Sequence, residues 1–252
     1  MLPPGSDITA AVKLGSVDRI ITDPENVDAA VVTGRPVLVL GGGDARGLEV
    51  DPSHDVIDLE QIDPTKVNLP GWYRPDPGVA RELAFIIFAE SGGVLEAKQI
   101  TNYRWALSAF GTATAADLDR GDTVYCLAPL HHSSSLLATI GGAMAGGSRI
   151  ALSRGLNPAR FVEEIHRYGV TVVSYTWSMV REILDEDLLL IDGSHPVRLF
   201  IGSGMPPWSV EADNGGVRPR AGTRVLCVDR SDVILANVAG SKVGSKGAPA
   251  AG

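Results

Sequence analysis

The sequence predicts an α/β protein with a largely parallel sheet, and three observations carry that prediction. From residue 81 onward, short apolar runs alternate with segments of helical periodicity. The stretches between successive runs are long enough for the crossover connections that parallel strands require. Several runs end in turn chemistry, such as Gly202-Ser203-Gly204 after Val197 to Ile201.

The elements follow in order. Within residues 1–80, Arg19 to Thr22 and Pro36 to Leu40 read as buried strands, and the second ends at Gly41-Gly42-Gly43. Pro52, Pro64, Pro70-Gly71, Pro75 and Pro77-Gly78 then punctuate an irregular stretch that Trp72 and Tyr73 are expected to pack onto the core. Leu83 to Phe88 is a continuous apolar strand, followed by a loop at Glu90-Ser91-Gly92-Gly93. Asn102 to Leu118 is helical, with Asn102 as its cap and Trp105, Leu107, Ala109 and Phe110 among its apolar positions. Asp122 to Leu127 is a strand, Ser134 to Met144 a helix, and Arg149 to Leu152 a strand. Asn157-Pro158 opens a helix that Gly169 stops, because proline suits the first helical position. Val170 to Tyr175 is a strand, Ser178 to Leu190 a helix, and Val197 to Ile201 a strand. Arg224 to Val228 and Val233 to Asn237 are short strands, and Gly240 to Gly252 has no buried pattern, as though the chain stopped mid-domain. The expected organisation is an irregular part at 1–80, a βα core at 81–220, and short strands with a loosely held tail at 221–252.

Composition excludes several classes. The 252 residues are 44% hydrophobic and 21% charged, the balance of a folded chain. The net charge is −8, which argues against a general nucleic-acid binder, since polyanions attract surplus Lys and Arg. Cys126 and Cys227 lie in apolar runs without metal or redox spacing, and read as small buried hydrophobes. The start has no basic and apolar signal-peptide pattern, and the longest apolar stretch, Leu83 to Ala89, is too short to span a bilayer. The expected location is the cytoplasm.

Four segments could carry chemistry. In Val37 to Gly47, a strand runs into Gly41-Gly42-Gly43-Asp44-Ala45-Arg46-Gly47, which fits the first two glycines of a dinucleotide fingerprint at Gly41 and Gly43. The third glycine falls one residue late, and Pro52 crowds the following helix, so a tight surface turn is the competing reading. Ser91-Gly92-Gly93 followed by Lys98 could cradle phosphate through backbone N–H groups, with the ammonium countering charge, although no Walker spacing is present. Pro129-Leu130-His131-His132-Ser133-Ser134-Ser135 follows a strand end, where α/β proteins place ligands. No further His/Cys cluster supports zinc there, and no Gly-x-Ser-x-Gly elbow supports a serine hydrolase. Phe200 to Pro207 is another strand ending in a glycine turn, which by itself means close backbone approach.

The order of these segments resembles the acyl-adenylate-forming (AMP-binding) superfamily, the AMP-forming acyl-CoA synthetases. Phe161 to Leu184 looks like that family's large domain, and fatty-acid–CoA ligases are the nearest flavour. The resemblance covers about residues 83 to 252. It implies part of the large N-terminal domain, with mostly parallel sheets and flanking helices, without the small C-terminal lid domain. It implies activation of a fatty or other carboxylic acid by ATP and Mg²⁺ to an acyl-adenylate, then transfer to coenzyme A. Ser91, Gly92, Gly93 and Lys98 fall on the phosphate loop, where Lys98 matches its lysine. The loop's two threonines are replaced by Gly93 and Val94 and its last glycine by Leu95, while Glu96 adds a negative charge. Each hydroxyl lost from a charged acceptor costs about 1–3 kcal/mol. His132 matches a histidine beside the acyl pocket, where Trp177 is also placed, and Ser135 stands where glycine is usual. Lys98 and His132 are thus the implied catalytic residues. Gly202, Ser203, Gly204 and Met205 resemble the loop that lines the adenine. No metal-ligand set is assigned, because Cys227 to Asp232 lacks the family's Thr-Glu, leaving Asp229 or Asp232 as substitutes.

Two readings therefore stand side by side. One is an acyl-CoA synthetase, possibly completed by a partner chain that supplies the lid. The other is a non-catalytic module that binds an acyl group, a nucleotide or a partner. A Rossmann-type NAD(P)-binding protein using Gly41 to Gly47 is the third.

Overall fold

The computed structural model describes residues 2–3, 5–42, 48–49, 51–76, 78–153, 155–176, 178–179, 182, 196–203, 224–228, 234–236 and 248–249. The chain divides into two compact units, Met1–Ile100 and Thr101–Gly252.

The first unit opens with α1 (Ile8–Gly15), capped by Asp7, whose carboxylate accepts the Ala10 N–H at 3.0 Å. A Cβ on Gly15 would meet Phe88 Cζ at 2.9 Å, so this helix end lies tight against strand β4 (Leu83–Ser91). Strands β1 (Ile20–Thr22), β2 (Val37–Val39) and β3 (Val56–Asp58) form a parallel sheet in that order, with α2 (Val27–Val31) between the first two. Val27, Ala30, Val37 and Val39 are its core. Trp72 and Tyr73 do not pack inward as expected. They are 80% and 43% exposed, because the Pro/Gly-rich stretch closes its hydrogen bonds locally: Tyr73 N–H to Pro70 and the Arg74 guanidinium to the Gly71 and Tyr73 carbonyls.

The expected loop after Phe88 is also different. β4 continues to Ser91 and returns as β5 (Val94–Thr101) through a two-residue turn at Gly92-Gly93. Both turn residues have positive φ, 58° and 79°, the signature of the tight hairpin turns that match strand twist.

The second unit begins with α3 (Asn102–Ala116). Its cap is Thr101 and not Asn102, since the Thr101 hydroxyl accepts the Arg104 N–H at 3.2 Å. The helix buries Ala109, Thr112 and Ala116 and leaves Leu107 and Phe110 exposed. β6 (Thr123–Cys126) follows. The expected helix at Ser134 is a π-helical segment over Ser134–Ile140 that continues as α4 (Gly141–Gly146). The glycines let it approach α3: a Cβ on Gly142 would meet Thr112 Cγ2 at 2.8 Å. Then come β7 (Arg149–Leu152), α5 (Pro158–Tyr168, with Pro158 at its start and Gly169 at φ 58° as its cap), β8 (Val172–Thr176) and β9 (Leu199–Ser203). Of the helix expected from Ser178 to Leu190, residues 178, 179 and 182 are helical and the others lie outside the described residues. β10 (Arg224–Val228), β11 (Ile234–Ala236) and β12 (Ala248–Pro249) complete a seven-stranded sheet of order β12-β11-β10-β9-β8-β6-β7. The rest of the tail lies outside the described residues. β7, β6, β8, β9 and β10 are mutually parallel, and β11 and β12 are antiparallel additions.

Strand alternation divides this unit's core between the two faces of the sheet. Tyr125, Leu127, Val173, Tyr175 and Phe200 pack with Phe161 and Ile165 of α5. Val124, Val172, Leu199 and Ile201 pack with Ala116, Ala138 and Ala143 of α3, the π segment and α4. The result is a helix–sheet–helix sandwich, with each fully buried large side chain worth about 1.5–3 kcal/mol. On the α5 face, the Tyr125 hydroxyl donates to Glu164 Oε2 at 2.5 Å. Burial, reinforced by this acceptor, pushes the phenol up to about 12.

The N-terminal edge of the sheet is tied by one carboxylate. Asp122, 4% exposed, accepts from Arg198 Nε at 2.9 Å, from Arg198 Nη2 at 2.5 Å, from Thr171 Oγ1 at 2.6 Å and from the Asp119 N–H at 3.1 Å. Arg198 also donates to the carbonyls of Ala116 and Asp117. The end of α3 and the starts of β6, β8 and β9 are thereby pinned together.

Candidate functional site

The chain enters the sheet at β6, steps to β7 on one side, and returns to β8 on the other. The strand order therefore reverses between β6 and β8, and in open α/β sheets ligands bind beyond the carboxyl ends of the strands at such a reversal. The register sets those ends level: Cys126 pairs with Ser174, Tyr175 with Gly202 and Thr176 with Ser203.

Two of the four expected segments follow from this edge. After β6 the chain runs through Pro129 to His132, where the His132 N–H donates to the Pro129 carbonyl at 3.1 Å. The His132 carbonyl accepts the N–H groups of both Ser135 and Leu136, starting the π segment, a helix form frequent at functional sites. His132 is exposed, and its ring centroid lies 4.5 Å from that of His131 with the two planes tilted by 41°. Burial and the neighbouring imidazole hold His131 below its ordinary value. Ser135 is buried, and its hydroxyl has no hydrogen-bond partner among the described residues. Gly202 and Ser203 end β9 at the same edge, while Trp177, Gly204 and Met205 lie outside the described residues.

Sequence reasoning missed the braces of this edge. The Leu127 N–H donates to Ser174 Oγ at 3.2 Å, tying β6 to β8. Thr176 Oγ1 lies 2.9 Å from Ser178 Oγ just beyond β8. A Cβ on Gly202 would stand 2.3 Å from the Tyr175 carbonyl oxygen and 2.6 Å from its ring, so β8 and β9 close tightly there. These pairings depend on register between distant segments, which no local pattern encodes. Cys126 is buried as expected, and burial pushes its thiol up to about 11.

The remaining expected residues belong to the first unit. Ser91 ends β4, Gly92 and Gly93 make the turn, and Lys98 stands exposed in the fifth position of β5. In the Rossmann-like segment, Gly43 to Gly47 lie outside the described residues. The Gly41 N–H donates to Glu60 Oε1 at 3.1 Å, which puts a negative charge where a pyrophosphate would need a donor. Among the described residues, no group of three or more His, Cys, Asp or Glu side chains could hold a metal ion; Asp229 and Asp232 lie outside them. No helix among the described residues is long and apolar enough to cross a membrane.

Fold and edge together define an open α/β sheet with a switch point between β6 and β8. Residues 92–213, just under half of the chain, match the family described as AMP-binding enzyme, and the relatives and structural neighbours support the AMP-binding superfamily. It is 26% identical over 186 residues to the medium/long-chain-fatty-acid–CoA ligase FadD6 of Mycobacterium tuberculosis, covering 72% of this chain and 31% of that one. Its fold matches MbtA of Mycobacterium smegmatis with a TM-score of 0.71 at 17% identity, over 98% of this chain and 46% of that one. ATP-bound MatB of Rhodopseudomonas palustris matches with a TM-score of 0.70 at 15% identity, over 97% and 47%. The chain thus spans about a third of the length of the curated relative and just under half of each solved structure.

Proposed function

We propose that the protein works in ATP-dependent activation of a fatty acid or similar carboxylic acid, through an acyl-adenylate, with coenzyme A as the acyl acceptor. The observation that carries this reading is the position of His132 and Gly202-Ser203 at the carboxyl edge of one switch point, inside the stretch that matches the AMP-binding family. The similarity to a fatty-acid–CoA ligase supports the acyl class. In this reading Gly202, Ser203, Gly204 and Met205 border the adenine, while His132 and Trp177 border the acyl chain. An exposed imidazole beside the carboxylate orients it toward the α-phosphorus, the positioning on which adenylation depends. Ser91, Gly92, Gly93 and Lys98 are proposed to serve the phosphates, and Lys98 supplies the positive charge. Magnesium is the counter-ion of the nucleotide and is given no protein ligand. A cytoplasmic location is part of this reading.

One observation favours a second reading, binding without turnover. The Gly92-Gly93 turn is two residues long, and its neighbours offer no threonine hydroxyls to a triphosphate. Fatty-acid-dependent exchange of labelled pyrophosphate into ATP separates the two. The enzyme reading expects exchange that falls at least tenfold in Lys98→Ala. Adenylate binding without any exchange would establish the second reading instead.

A further inference from the structure

Tyr175 is the last large side chain on the α5 face of β8, directly beside the end of β9. Its neighbour in the ladder is Gly202, and the space that a Cβ there would occupy is filled by Tyr175: Cδ1 at 2.6 Å, Cε1 at 2.7 Å and the carbonyl oxygen at 2.3 Å. Contacts under 3.0 Å mean that no side chain fits at position 202 without parting the two strands. The other flank of the ring meets Phe200 edge-on, with centroids 6.3 Å apart at 66°. Tyr175 is 3% exposed and Phe200 8%. On the opposite face, Ser174 holds the Leu127 N–H. Two adjacent residues of β8 thus brace the strand ends on both sides: Ser174 toward β6 and Tyr175 toward β9.

We propose that Tyr175 is a positioning residue for nucleotide binding: its ring, seated in the notch left by the missing Cβ of Gly202, sets where the Gly202-Ser203 backbone stands at the ligand-binding edge. The inference rests on the adenylate reading above. A flat, rigid ring fills the notch in one way, whereas an aliphatic chain fills it in several rotamers and leaves the end of β9 free to shift. Backbone groups that face a ligand must be held to within about half an ångström to be productive, and a support of this kind acts on affinity without touching the ligand.

The test is calorimetric titration with a fatty-acyl sulfamoyl-adenosine, a non-hydrolysable mimic of an acyl-adenylate, on wild type, Tyr175→Phe and Tyr175→Leu. Tyr175→Phe keeps the ring and is expected to bind within threefold of wild type. Tyr175→Leu is expected to bind at least tenfold more weakly at an unchanged stoichiometry, which separates lost affinity from a lost folded fraction. Should Tyr175→Leu fail to fold, Tyr175→Met, apolar and unbranched, takes its place with the same expectation. Leucine or methionine binding as tightly as tyrosine overturns the inference and leaves the adenylate reading intact. Tyr175→Phe falling as far as Tyr175→Leu also overturns it, because the ring would then not be the cause. Wild type without saturable binding overturns the adenylate reading, and the positioning role with it.

Discussion

Asp122 and Arg198 illustrate how single residues fix the frame on which the site stands. Burial opposes ionisation of Asp122 most strongly, but the hydrogen bonds from Arg198, Thr171 and the Asp119 N–H outweigh it and hold the carboxyl below its ordinary value. Its folded pKa therefore lies below the unfolded value of about 3.9, so the stability it adds is complete above that value and is lost as pH falls through the folded one. Melting temperature followed downward from pH 6 should fall more steeply below about pH 4 in wild type than in Asp122→Asn. At neutral pH, Arg198→Ala leaves a buried carboxylate without its main partner and should cost on the order of 3 kcal/mol in chemical denaturation. Residue identity made His132 and Gly202 visible in the sequence, because a histidine or a glycine turn after a strand is a local signal. The Asp122–Arg198 pair was not visible. Its partners are 76 positions apart, and only the parallel register brings them together.

Elements with local punctuation were legible at their ends. α5 begins at Pro158 and stops at Gly169 as read, since a proline start and a left-handed glycine cap act within one turn. The strands of the second unit were legible from their apolar runs, and the switch point follows from their pairing. The β4–β5 hairpin was not recognised, although Gly-Gly between two runs is a hairpin signal. Val94 to Lys98 alternate as a strand should, but Gln99 interrupts the alternation before Ile100, and the apolar positions Leu95 and Ala97 are too few to mark a strand by themselves. The π segment likewise reads as ordinary helix, because its extra residue per turn depends on packing and not on composition. The hairpin yields its own prediction. Gly93 sits at φ 79°, where a β-branched residue is strained, so Gly93→Val should destabilise by about 1–2 kcal/mol, whereas Gly92→Asn should be tolerated. Denaturation midpoints of the two variants check this. Equal effects would mean that the turn is not of this type.

At the scale of the molecule, the parallel sheet assigns different work to its two ends. The N-terminal edge is closed by Asp122 and Arg198 and carries stability. The C-terminal edge, braced by Ser174 and Tyr175, carries His132 and Gly202-Ser203, which we propose to border the adenylate. The most direct test of that division is backbone hydrogen exchange of wild type with and without the acyl sulfamoyl-adenosine. Protection on ligand binding is expected in peptides covering 127–136, 174–179 and 199–204. The segments around 37–42 and 119–123 should be unchanged. No ligand-dependent protection, or protection centred on Gly41 and Gly42, would contradict the account.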